Sequence, residues 1–118
     1  MNNTEHLLLR IYASSTDKVN GNLLYEDIVY RAKRFGISGA TVFRGIIGYG
    51  ASSTIHSSRF WELTEKLPVL IEIIDEKDKI EEFYSQIEPI LNDMPKGCLV
   101  TTDTTQIRFY KQGEKKTV

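Results

Sequence analysis

Little in this 118-residue sequence is equipped for metal or covalent chemistry. The single cysteine, Cys98, excludes an internal disulfide and suits a reducing compartment, so the expected location is the cytoplasm. Only two histidines occur, His6 and His56. They are far apart, and neither has cysteines or a carboxylate pair at metal-ligand spacing, so no metal motif is read. Ser52, Ser53, Ser57 and Ser58 lack the G-x-S-x-G context of a nucleophile elbow. Gly45 to Gly50 lacks the lysine and hydroxyl that complete a phosphate-binding P-loop. Cys98 paired with His56 as nucleophile and base is outweighed by a small buried cysteine at a strand start. No catalytic constellation emerges, and the expectation is a protein that is not an enzyme. No apolar run is long enough to span a bilayer, and Met-Asn-Asn-Thr-Glu-His lacks the basic start and apolar stretch of a signal peptide. A formal net charge of −1 argues against a global field for nucleic acid or a membrane surface.

What is present is patterned. Hydrophobic residues are 41% of the chain and charged residues 26%, ordinary for one globular domain over 1–118 that can bury a core without cross-links. His6 to Tyr12 alternates as a strand, with Leu7, Leu9 and Ile11 on one face. Asn20-Gly21-Asn22 punctuates a turn, and Asn20 or Asn22 is placed to cap a helix over Leu23 to Phe35. Leu24, Ile28, Ala32 and Phe35 recur at helical spacing there, and Gly36 is the stop. Ala40 to Ile47 reads as a second strand, with Gly45 marking a bulge or a close backbone approach. Leu67 to Ile74 reads as a third. Asp75 then caps a helix over Glu76 to Leu91, with Ile80, Phe83, Tyr84, Ile87 and Leu91 as its stripe. Cys98 to Val100 is strand-like, and Gln106 to Tyr110 continues or re-forms a strand beyond a polar threonine stretch. Residues 111–118 read as a frayed tail.

The order β-α-β-β-α-β predicts an α+β, ferredoxin-like sandwich: a four-stranded antiparallel sheet with two helices on one face. The uncovered face is expected to carry Arg10, Arg44 and Glu72 among Leu8, Val42, Ile46, Leu70 and Ile74, without a second carboxylate. Such a face is too apolar for free solvent and predicts a homo-oligomer, with Glu72 neutralising an arginine in the interface. Between the second and third strands lie about 18 residues, 49–66, where a tight hairpin needs only a few. Arg59 and Trp61 are residue types favoured as interface anchors, and with Tyr49 they make this loop a candidate partner surface; Trp61 packed on its own domain is an equal alternative.

The stretches "GATVFRGIIGYG" and "LPVLIEIID" closely resemble a bacterial family of unknown function grouped with the PII-like signalling proteins, over residues 5 to about 110. The resemblance implies a ferredoxin-like homotrimer. True PII proteins also open the second strand with G-x-T-V and close it with Gly-aromatic-Gly, matched here by Gly48-Tyr49-Gly50. It implies a small anionic effector held between subunits near Gly48, Gly50, Lys96 and Arg108, an adenine nucleotide among the candidates. It further implies a mobile loop that engages a target protein, such as a transporter or an enzyme. Asp93-Met94-Pro95 stands where PII has a glycine-rich phosphate loop, and Ser52 where PII has a glutamine. Two alternatives stand beside this reading: a trimer like the divalent-cation-tolerance proteins, with a metal at a histidine or acidic cleft, and an enzyme with an intersubunit site.

Overall fold

In a computed structural model, which describes residues 4–50, 56–57 and 66–114, the alternating segments pair into one sheet. The elements are β1 His6–Ser14, β2 Lys18–Val19, β3 Asn22–Leu23, α1 Leu24–Phe35, β4 Gly39–Arg44, β5 Ile47–Gly48, β6 His56–Ser57, β7 Pro68–Glu76, α2 Lys77–Asp93 and β8 Leu99–Thr105. The main sheet runs β4-β7-β1-β8 with every neighbour antiparallel. The expected ferredoxin-like architecture is therefore the observed one.

The core lies between one face of this sheet and the two helices. Leu7, Leu9 and Ile11 of β1 and Val69, Ile71 and Ile73 of β7 point into it. They meet Leu24, Ile28 and Ala32 of α1 and Ile80, Phe83, Ile87 and Leu91 of α2. The Phe35 and Phe83 rings meet edge to face at 5.5 Å between centroids, locking the two helices together. Each fully buried aliphatic or aromatic side chain contributes about 1.5–3 kcal/mol relative to exposure. The alternation of β1 and β7 and the stripes of the helices thus serve one cluster.

Several element ends differ from the sequence expectation. Asn20 and Asn22 do not cap α1: the N-cap is Leu23, without a side-chain bond, and the Leu24 N–H donates to the Asp17 carbonyl at 2.7 Å. Asn20 and Gly21 instead take φ of 51° and 82°, the left-handed pair that a two-residue hairpin between β2 and β3 requires. Asp75 does not cap α2 but sits inside β7, where it is buried; the N-cap is Glu76. The Asp75 carboxylate accepts from the Ser38 N–H at 2.8 Å and the Glu76 N–H at 2.6 Å, with the Lys79 ammonium 3.5 Å away. Gly36 ends α1 as expected, with φ of 94° and its N–H donating to the Ala32 and Lys33 carbonyls. β8 runs through the threonine stretch, and Gln106 to Tyr110 forms no strand. Threonine is β-branched, and as an edge strand β8 can place hydroxyls on both faces.

Register corrects the makeup of the uncovered face. Arg10 faces Glu72 across β1 and β7, and Leu8 faces Ile74. On β4, however, Thr41 is the partner of Glu72 and Phe43 of Leu70, whereas Val42 and Arg44 pair with Ile71 and Val69 of the helix side. Arg44 and Val42 therefore do not share the face of Arg10. Ile46 lies beyond the end of β4. β4 stops at Arg44 although the Gly45 N–H still donates to the Pro68 carbonyl at 2.7 Å, because Pro68 has no N–H to return the bond that would extend the ladder. A Cβ on Gly45 would come within 2.8 Å of the Pro68 ring, so the glycine marks a close approach. Asp103 is a second carboxylate on the uncovered face, contrary to expectation, and lies opposite Leu8.

Candidate functional site

At the end of the sheet where β1 and β4 finish, five chain segments enclose a cavity of about 460 Å³. β1 and the turn after it supply Tyr12, Ser14, Thr16 and Asp17. The end of β4 supplies Phe43, Arg44 and Gly45. Ile47 to Gly50 and Lys66 supply the two stems of the long connection between β4 and β7. The loop after α2 supplies Lys96 and Gly97. These segments converge because the order β4-β7-β1-β8 places the ends of β1 and β4 beside the starts of β7 and β8.

Three residues singled out from the sequence, Gly48, Gly50 and Lys96, thus line one cavity, and so does Tyr49, which is 71% exposed. Arg108 is not with them. It lies at the opposite end of the sheet, in a groove with His6, Asp75 and Tyr110. β8 carries the chain the full length of β1 before Arg108 is reached, which takes it away from Lys96 within one copy. Arg59 and Trp61 lie outside the described residues.

The cavity gathers cations that the residue-level reading had assigned elsewhere or passed over. Arg44 was expected on the sheet interface; its register takes it off that face, and it is among the residues that line the cavity. Lys66 carried no sequence signal, because its role depends on the fold bringing β7's approach beside Gly48. Among the described residues, the side chains of Arg44, Lys66 and Lys96 make no hydrogen bond or ion pair. The carboxylate on the described wall belongs to Asp17, which is buried and accepts from the Ser14 N–H at 2.9 Å. Positive charge is therefore in excess, beside the aromatic rings of Tyr12, Phe43 and Tyr49. Such a lining suits a ligand with an apolar, flat body and an anionic end. Behind it, burial and then the negative charge of Asp17 push the half-buried Cys98 thiol above its ordinary pKa. A thiol held protonated is a poor nucleophile, in keeping with a packing role.

On the uncovered face, Arg10 reaches two carboxylates. Its Nε lies 3.3 Å from Glu72 Oε2, and its Nη1 donates to Asp103 Oδ2 at 2.7 Å. The expected Glu72–arginine pairing exists for Arg10. Around it, Tyr12, Phe43 and Leu99 are 39%, 49% and 51% exposed on the same face.

Residues 6–107 match the DUF190 family, described as an uncharacterized ACR. A UPF0166 protein of Aquifex aeolicus is 43% identical over 81 residues, covering 69% of this chain and 77% of that one. A UPF0166 protein of Methanocaldococcus jannaschii is 41% identical over 98 residues, covering 81% and 86%. Among solved structures, this fold resembles CPII from Thiomonas intermedia K12, a nitrogen regulatory PII-like protein bound to ADP, AMP and bicarbonate. The TM-score is 0.59 at 13% identity, over 86% of this chain and 88% of that one.

Proposed function

The chain belongs to the DUF190 family, and from its PII-like fold we propose that it is a regulatory protein that senses a small anionic effector. The observation that carries this reading is the cavity at the root of the 49–66 connection, where Gly48, Gly50 and Lys96 meet Arg44 and three aromatic rings. Glycines let a ligand or a second backbone approach closely, and the cations supply charge-assisted hydrogen bonds to anionic oxygens. An adenine nucleotide is the first candidate: the similar CPII fold holds ADP and AMP, and the cavity offers both ring faces and charge.

In this proposal the protein is a cytoplasmic homotrimer. The apolar face around Arg10, Glu72 and Asp103 is buried between copies, and Arg108 reaches the cavity from a neighbouring copy. Occupancy then biases the 49–66 segment between arrangements that present or withdraw Tyr49, Arg59 and Trp61. A ligand can shift such an equilibrium only by its differential contacts, and here both stems of the segment line the cavity. The partner is a target protein such as a transporter or enzyme, and the role is regulatory, not catalytic.

The test is calorimetry with ATP, ADP, AMP and cyclic dinucleotides, alongside hydrogen exchange over residues 49–66. Saturable binding with altered exchange in that segment is expected. Replacing Lys96 with alanine should weaken binding by about 1.5–3 kcal/mol, the loss of one charged hydrogen bond. If no nucleotide binds at millimolar concentration and exchange does not change, the effector reading fails and a ligand-free interaction module replaces it.

A further inference from the structure

Asn20-Gly21 is the one asparagine–glycine pair in the sequence. Glycine leaves its own amide nitrogen unscreened by a side chain. Both residues sit at the tip of the β2–β3 hairpin, both are exposed, and both have positive φ, 51° and 82°. A Cβ built on Gly21 would meet nothing within 4 Å among the described residues, so the space around it is open. The hairpin is closed by the pairs Lys18–Leu23 and Val19–Asn22, and Gly21 is in neither. Its N–H makes no hydrogen bond among the described residues, so nothing there competes with loss of the proton. Strands of two residues hold such a turn weakly, and it can flex until the Asn20 side-chain carbonyl carbon meets the Gly21 nitrogen. The other described asparagines lack these conditions. Asn22 precedes Leu23, whose side chain screens the nitrogen, and Asn92 lies in α2, where the next N–H belongs to the helix.

We propose that Asn20 is a site of spontaneous covalent modification, by ring closure onto Gly21 with loss of ammonia, followed by hydrolysis. The deprotonated Gly21 nitrogen attacks Asn20 Cγ. The new N–Cγ bond forms as the bond from Cγ to the side-chain nitrogen breaks, and the proton given up by Gly21 leaves with that nitrogen as ammonia. Water then opens the five-membered imide. Breaking the new N–Cγ bond leaves an aspartate at position 20. Breaking the bond from the Gly21 nitrogen to the main-chain carbonyl carbon leaves an isoaspartate, whose main chain runs through Cβ and Cγ. Neither route consumes an oxidant or a reductant; each takes up one water and adds one negative charge.

The two products differ in consequence. Aspartate suits the turn, because Asp-Gly serves a two-residue hairpin as Asn-Gly does. Isoaspartate lengthens the main chain by one carbon inside that turn, and the Val19–Asn22 pairing is lost. β3 leads directly into α1: Leu23 is its N-cap, and the Leu24 N–H donates to the Asp17 carbonyl at 2.7 Å. Asp17 in turn walls the cavity. The isoaspartyl form therefore loosens the start of α1 beside the candidate site.

The experiment ages the full chain at mildly alkaline pH in water enriched in heavy oxygen and maps it by mass spectrometry. Cleavage after Lys18 and Arg31 yields one peptide holding both Asn20 and Asn22, an internal comparison. Conversion at Asn20 should rise with time and with pH, and run roughly tenfold or more ahead of Asn22, where Leu23 screens the attack. Asn20→Gly keeps a Gly-Gly turn and should abolish the conversion at this position. The isoaspartyl fraction, separated by chromatography, should show faster hydrogen exchange at Leu24, while fresh Asn20→Asp exchanges as the parent does. Equal rates at Asn20 and Asn22, or no conversion at Asn20 over a time in which the urea-unfolded chain is converted, overturns the assignment. Unchanged exchange at Leu24 in the isoaspartyl fraction overturns the loosening of α1.

Discussion

Gly45 shows how one residue sets the shape of the site. Its lack of a side chain lets the chain leaving β4 pass close against Pro68, beside the cavity that Gly45 and Ile47 to Gly50 line. Gly45→Ala places a methyl group 2.8 Å from the Pro68 ring, whose own covalent ring limits how far it can yield. Overpacking of this kind costs about 1–3 kcal/mol. Urea unfolding should report that loss as a lower midpoint at unchanged slope. Gly50→Ala meets nothing within 4 Å among the described residues and is the control, expected to shift stability by less than about 0.5 kcal/mol. Equal midpoints for the two variants would remove the close approach from the account of how the chain leaves β4.

At the scale of elements, Asp75 joins three of them. From inside β7 its carboxylate holds the Ser38 amide ahead of β4 and the Glu76 amide at the start of α2, and Lys79 of α2 comes within 3.5 Å. Lys79 in turn donates to the Gly36 carbonyl at 2.6 Å, past the end of α1. Asp75→Ala strands backbone donors that the carboxylate had accepted from, a loss of about 1–3 kcal/mol. Hydrogen exchange should quicken at Ser38 and Glu76, with the cavity end of the sheet unaffected. Unchanged exchange at both amides would show that the carboxylate does not hold these elements. The residue was legible in the sequence as a hydrogen-bond acceptor before a helix. Its true position was not, because whether an aspartate ends a strand or begins a helix is decided by the length over which β7 pairs with β1, and that pairing extends to Glu76.

For the whole molecule, the consequential surface is the uncovered face of the sheet. In a single copy, Arg10 and Glu72 are each a little under a third exposed, so their ion pair adds about 1 kcal/mol or less to folding. If assembly buries that face, the same pair becomes costly to break, because an unpaired charge in an interface costs several kcal/mol. Glu72→Lys therefore separates the two situations. The variant should keep its circular dichroism, yet light scattering should show the proposed trimer replaced by monomer or aggregate, with an unfolding midpoint lowered by the stabilisation that assembly had supplied. A parent protein that is monomeric at micromolar concentration would end the trimer proposal.

The periodicities of β1, β7, α1 and α2 determined the type and order of the main elements, since alternation and helical stripes are local consequences of which side chains must leave water. Gly48-Tyr49-Gly50 and Lys96 were legible as a candidate site through the resemblance to PII proteins, with glycine permitting close approach and lysine carrying charge. Tertiary structure alone decided the rest. Strand phase is set by cross-strand pairing, and β4's register carried Arg44 off the sheet interface, leaving it among the residues that line the cavity. Asp103 joined Arg10, and Lys66 joined Lys96, through contacts between residues far apart in the chain. Arg108 parted from Lys96 because β8 runs unbroken through its threonines along β1. Which residues share a cavity depends on strand order and register, and those follow from hydrogen bonds between distant segments rather than from any one segment's own pattern.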